Sequence, residues 1–142
     1  MVEIRPTMPG DCWLVLTALR DAEVAELAAL GHTSEECIRF GLMFGNAQTV
    51  FINGKPAGIF GITEYPDGNV PWACFTTAID EHPITFLRAC KRWRESVCGT
   101  LIQHVDARNQ EAVRWFKWLG FEVSEPEPLG VNGEPFHRVE IH

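Results

Sequence analysis

His104 and Asp106 stand two positions apart in the β-like stretch Leu101–Ala107, and Glu64 ends another strand-like stretch. Alternation along a strand points residues i and i+2 to one face, so the Asp106 carboxylate could orient the His104 imidazole as a general base. The same alternation puts polar residues on a solvated face, and that reading stays open beside the catalytic one. Asp80-Glu81-His82-Pro83 sets two carboxylates just ahead of a proline suited to a first helical turn. Arg88, Lys91, Arg92 and Arg94 gather four of the chain's 12 Lys and Arg on one segment. That segment is a solvated helix face, a contact for an acidic partner surface, or a phosphate contact. Trp93, Trp115 and Trp118 are either core or an aromatic interaction surface.

Five cysteines (Cys12, Cys37, Cys74, Cys90 and Cys98) have neither CxxC pairing nor matching histidine spacing. They read as reduced thiols, with no metal site and a cytoplasmic setting. A net charge of −7 and a pI near 5.2 argue against wrapping nucleic acid, which needs clustered cations over a wide surface. No apolar run reaches membrane-spanning length and no signal-peptide pattern opens the chain, so a soluble, unsecreted protein is expected. At 142 residues and 46% hydrophobic content, residues 1–142 are expected to form one domain with a real core.

These residues need elements to position them. Val2–Arg5 reads as a strand, followed by a helix over Cys12–Arg20 with Asp11 as its N-cap. Ala22–Leu30 reads as a helix stopped by Gly31, and Thr33-x-x-Glu36 is a capping-box spacing ahead of Cys37, Phe40 and Phe44. Gln48–Ile52, Asn53-Gly54 and Pro56–Tyr65 form a hairpin. The turn at Pro66–Asn69 then leads to a strand over Trp72–Ile79. Pro83 opens an amphipathic helix closed by Gly99, Leu101–Ala107 is a strand, and Asn109–Leu119 is a helix stopped by Gly120. Phe136–Ile141 closes the series as a strand. Helices packed on a mixed sheet follow.

Asn109-x-x-Ala112 with Trp115, Phe116 and Gly120-Phe121, within the stretch DARNQEAVRWFKWLGF, resembles the fourth-helix motif of the GNAT (N-acetyltransferase-like) superfamily. The opening IRP…D and the hairpin FINGKPAGIF fall in family order. The resemblance implies an α+β fold: a mixed, mostly antiparallel central sheet with helices on both faces. It is nearest to the small GNAT-like proteins of short-tailed T7-type phages, including internal virion proteins, which share a basic, Trp-containing third helix and lack a glycine-rich loop before it.

The resemblance further implies acetyl-CoA as cofactor, with Ala78, Ile79, Asn109 and Phe116 at cofactor-contacting positions. Coenzyme A pyrophosphate would sit on free amides at the third helix's N-terminus, usually through a glycine-rich loop. Here Ile79–Thr85 has no glycine, two carboxylates and a proline without an N–H. The general-acid tyrosine of the fourth helix is replaced by Phe116, and the sole tyrosine, Tyr65, lies in the hairpin. Glu64, His104 and Asp106 are the available bases for an acceptor amine. The expectation is a GNAT-fold phage-type protein with a degenerate acetyl-CoA site that acts by binding a phage or host protein, in the virion or the host cytoplasm. The alternative is an active N-acetyltransferase with a divergent pyrophosphate loop.

Overall fold

The computed structural model describes residues 1–44 and 46–142, without the side chains of residues 41 and 44. The Phe44 side chain of the expected periodic set therefore lies outside the described residues. An eight-stranded sheet runs in the order β1-β2-β3-β4-β5-β8-β6, with β7 also on β8. β1 (Val2–Pro6), β2 (Gln48–Ile52), β3 (Lys55–Tyr65) and β4 (Gly68–Phe75) are successively antiparallel. Asn53 and Gly54 take φ of 50° and 82°, the positive angles that a two-residue hairpin needs. At Gly61 a Cβ would lie 2.7 Å from the Trp72 ring and 2.9 Å from the Asn46 carbonyl, so only glycine lets the indole cross β3.

The first helix differs from expectation at both ends. α1 spans Pro9–Leu16 and Asp11 sits inside its first turn. From there the Asp11 carboxylate accepts the Met8 N–H at 2.8 Å and a forked Arg5 pair at 2.7 and 2.9 Å, which satisfies the helix start from within. α2 (Asp21–Ala29) ends before Gly31, whose φ is 80°. α3 (Ser34–Phe44) opens as expected, with the Glu36 N–H donating to Thr33 Oγ1 at 3.1 Å, but its buried position is Ile38, and Phe40 is exposed.

β4 was expected to reach Ile79 and stops at Phe75. The Thr76 hydroxyl donates to the Pro56 carbonyl at 2.7 Å and accepts the Ala78 N–H at 3.2 Å, capping the helical turn α4 (Ala78–Glu81). α5 (Pro83–Ser96) follows, then β5 (Leu101–Asp106) and α6 (Gln110–Trp118), whose Asn109 cap accepts the Ala112 N–H at 3.3 Å. Two short strands absent from the sequence reading, β6 (Glu122–Val123) and β7 (Glu127–Pro128), pair with β8 (Pro135–Ile141). Adjacent β3 residues show how the layers divide. Ile59 packs with Val15 and Ile38 of α1 and α3, whereas Phe60 and Ile62 face the clusters built by α5 and α6.

Candidate functional site

β4 and β5 are the parallel pair in the sheet, and they bridge at one position, Asn69 opposite Leu101. Beyond it they splay, leaving a cavity of about 260 Å³ that reaches from Glu23 on α2 to Phe86 and Trp115 on α5 and α6. The open edges of a splay carry backbone N–H and C=O groups that an extended, amide-bearing ligand would use. Here the chain itself takes several of them.

On β4 and just past its end, the backbone groups of Asn69, Pro71, Ala73, Phe75 and Thr77 face the gap, because the alternate residues bond β3. The segment Ala18–Arg20 lies along the end of that edge as an antiparallel bridge, Leu19 opposite Thr76. The Arg20 N–H donates to the Phe75 carbonyl at 3.2 Å, and the Thr77 N–H donates to the Ala18 carbonyl at 3.1 Å. Gln103 then spans the gap. Its amide nitrogen donates to the Pro71 carbonyl, and its oxygen accepts the His104 N–H at 2.8 Å. On β5 the Asp106 N–H donates to Glu26 Oε1 at 2.6 Å. Gln103→Met should leave one carbonyl and one N–H in the gap without partners. We expect a loss of about 1–3 kcal/mol, read as a lower denaturation midpoint at unchanged m-value.

The helix start beyond β4 is similarly committed. The N–H groups of Ala78, Ile79 and Asp80 are spent on Thr76 Oγ1, the Thr76 carbonyl and the Thr77 carbonyl. Asp80 pairs with Arg20 at 3.2 Å and Glu81 with Lys55 at 3.1 Å. Arg20 also reaches Glu111 at 2.6 Å and lies 5.1 Å from the Trp115 ring centre, although its side chain is only 9% exposed. Two cations thus face three carboxylates, Asp80, Glu81 and Glu111, a poor receptor for a pyrophosphate. The strand-edge groups and α4 amides named above are thus not free to serve an amide arm or a phosphate.

The proposed base pair does not form. Asp106 is 2% exposed and is clamped by Arg108 through contacts of 2.6–3.1 Å, so its carboxyl is held below the usual range. His104 is exposed yet lines the cavity, and partial burial, then the nearby Arg138, lowers its pKa. Glu64 is exposed at the end of β3, away from the cavity lining. Ala78 and Ile79 are core residues on α4, where they pack with Val50 and Ile52. Asn109 and Phe116 do line the cavity, Phe116 packing edge-on against Phe121 at 5.1 Å. Trp93 and Trp115 join the core clusters, whereas Trp118 is exposed. Lys91 lies 5.6 Å from the Trp118 ring centre, so the basic face of α5 continues onto Arg114 and Lys117 of α6. Among the described residues no group of three His, Cys, Asp or Glu could hold a metal, and no helix is long and apolar enough to cross a membrane.

The residues that the sequence reading missed are Arg20, Glu23, Glu26 and Gln103. Glu23 and Glu26 line the α2 end of the cavity. Burial, then the neighbouring Glu26, pushes the Glu23 carboxyl up to about 8. Burial likewise pushes Glu26 to about 7, against the stabilising Asp106 N–H. The one sequence signal was the i, i+3 spacing of two acids in an Ala- and Leu-rich helix, which also describes any solvated helix face.

No family model matches the chain, and no curated protein matches it. Solved structures do. A putative acetyltransferase from Salmonella typhimurium, solved with acetyl-CoA, aligns over 100% of this chain and 94% of its own at a TM-score of 0.73 and 13% identity. The ribosomal-protein-alanine N-acetyltransferase of Brucella melitensis aligns over 98% of both chains at 0.71 and 16%. The spermidine N-acetyltransferase of Vibrio cholerae, in complex with CoA and spermine, aligns over 99% and 94% at 0.71 and 14%. The chain therefore has the GNAT acetyltransferase fold, with its mostly antiparallel mixed sheet and helices on both faces.

Proposed function

We propose that this GNAT-fold chain works by binding a protein rather than by transferring acetyl groups from acetyl-CoA. The observation that carries this reading is the self-occupied gap: Ala18–Arg20, Gln103 and Glu26 hold the strand edges that a coenzyme arm would need. The spent amides of α4, the paired Asp80 and Glu81, and Phe116 at the general-acid position support it. The partner-facing surface is the basic side of α5 and α6, with exposed Arg88, Lys91 and Arg92 on α5, exposed Arg114 and Lys117 on α6, and Trp118 beside Lys91. Those five cations on an acidic chain suit an acidic protein surface, and Trp and Arg are the side chains that most often anchor such contacts. A phage-type role, in the virion or against a host protein in the host cytoplasm, agrees with the sequence resemblance of this helix.

One observation favours the alternative of an active acyltransferase: the cavity between β4 and β5 is not filled by side chains. The two readings part in a thiol-release assay with acetyl-CoA across aliphatic, aromatic and peptidyl amines. Binding without transfer predicts no thiol above the uncatalysed rate. Turnover with any amine would establish transfer.

A further inference from the structure

Cys37 and Cys74 bring two sulfurs together from different layers of the fold. Cys37 stands in the first turn of α3, where its N–H donates to the Thr33 carbonyl at 3.1 Å, and Cys74 is the penultimate residue of β4. Both side chains pack in the core cluster of Val15, Ile38 and Ile59. There the Cys74 S–H donates to the Cys37 sulfur.

Their surroundings divide the two roles. Cys37 is half-buried and lines the cavity, whereas Cys74 has no exposed surface and does not line it. The hydrogen bond from Cys74, opposed by partial burial, holds the Cys37 thiol below its usual range. The same contact, then burial, holds Cys74 well above its own, and the nearby Glu23 and Glu26 of α2 push in the same direction. An accessible sulfur that ionises beside a buried one that keeps its proton is the arrangement in which the first attacks an oxidant and the second resolves the product. The remaining thiols are placed differently. Burial, then Asp11, raises Cys12, burial pushes Cys90 up to about 12, and Cys98 is exposed beyond the end of α5.

We propose that Cys37 and Cys74 are a peroxide-reactive thiol pair, Cys37 attacking and Cys74 resolving, that closes into a disulfide between α3 and β4. The Cys37 thiolate attacks one peroxide oxygen. The S–O bond forms, the O–O bond breaks, and hydroxide leaves and takes up the proton that Cys37 had released. Cys74 then attacks the sulfenic sulfur of Cys37. The S–S bond forms, the S–O bond breaks, and water leaves with the Cys74 proton. Two thiols are oxidised and one peroxide is reduced to two waters. The cavity of about 260 Å³ is ample for a molecule little larger than water, whose share of the liquid is about 30 Å³. The reaction uses neither coenzyme nor protein partner, so it goes beyond the function proposed above.

Mass spectrometry of the whole chain tests this. The reduced protein is treated with near-stoichiometric hydrogen peroxide in native buffer, its free thiols are blocked with iodoacetamide, and the digest is mapped without reductant. Before blocking, the product should be about 2 Da lighter than the reduced chain, and dithiothreitol should restore the starting mass. The map should show Cys37 joined to Cys74. A link from either residue to another cysteine, a Cys37 sulfinic acid about 32 Da heavier with no link, or two unchanged thiols would each overturn the pair, and none of these needs a variant. In Cys74→Ala, confirmed folded by its melting curve, the sulfenic acid has nothing to resolve it. Dimedone should then label Cys37, which stays unlabelled in the oxidised parent. No label on Cys37 in that variant would overturn the assigned roles.

Discussion

Between pH 5 and pH 8 the folded chain should lose several kcal/mol of stability, and Glu23→Gln should remove the larger part of that loss. Glu23 and Glu26 have folded pKa values raised from 4.5 to about 8 and about 7. Over this window the folded state keeps protons that the unfolded chain has released. Stability is therefore fully present below about 4.5 and falls as pH rises through 7 and then 8, by about 1.4 kcal/mol per unit for each carboxyl still protonated. Two groups in one window make a total of several kcal/mol, a large part of the 5–15 kcal/mol typical of domains.

Other groups shape the flanks. Asp11 and Asp106 have lowered pKa values, so their stabilisation is present above about 3.8 and is lost as pH falls further. His104, its pKa lowered by burial and by Arg138, adds stability as pH rises toward 6.5, but it is one exposed group against the buried Glu23 and the half-buried Glu26. The melting temperature should therefore peak near pH 5. Glu23→Gln should melt lower than or level with the parent at pH 5 and higher at pH 8. A flat profile from 5 to 8, or a variant with the parent's slope, would contradict the buried placement of α2's carboxyls.

Arg20→Ala is the second large effect. The side chain joins the α1–α2 connection to α4 and α6 through Asp80 and Glu111, and it stacks on Trp115. Removing one member of a buried ion network costs about 3–5 kcal/mol when the remaining charges stay buried. Asp80 and Glu111 have side chains 49% and 44% exposed and can rehydrate, so we expect about 2–3 kcal/mol. For a chain of this size that is roughly 5–10 °C in melting temperature. Arg20→Met keeps the packed stem without the charge and should recover part of the loss. If Arg20→Ala melts with the parent, the guanidinium does not hold these elements together.

Local signals carried the architecture well. Asn53-Gly54 needs positive φ, Pro83 and Gly99 bracket α5, and Asn109 caps α6 where its spacing from Ala112 placed it. The end of β4 was misread because Thr76 and Thr77 are β-branched and read as strand. Only the Pro56 carbonyl across the hairpin fixes the Thr76 hydroxyl where it accepts the Ala78 N–H at the start of α4. The site was barely legible, for a related reason. Asp106 and His104 share a strand, but the partner of Asp106 is Arg108, two residues onward in the loop. Arg20 stands in a short connection, Gln103 in a strand, and Glu23 on a helix with an ordinary acidic pattern. Their roles come from contacts such as Arg20 to Glu111 and Glu26 to Asp106, whose sequence separations of 91 and 80 no local pattern encodes.

The proposed function rests on the splay between β4 and β5, where the chain's own groups hold part of the strand edges. A calorimetric titration of CoA and acetyl-CoA into the protein addresses it directly. With β4's edge held by Ala18–Arg20 and the α4 amides spent, we expect no heat beyond dilution up to about 1 mM, a binding free energy weaker than about −4 kcal/mol. Saturable binding in the micromolar range would mean that the coenzyme displaces Arg20 and lies along β4, and the chain would then belong with the cofactor-binding transferases.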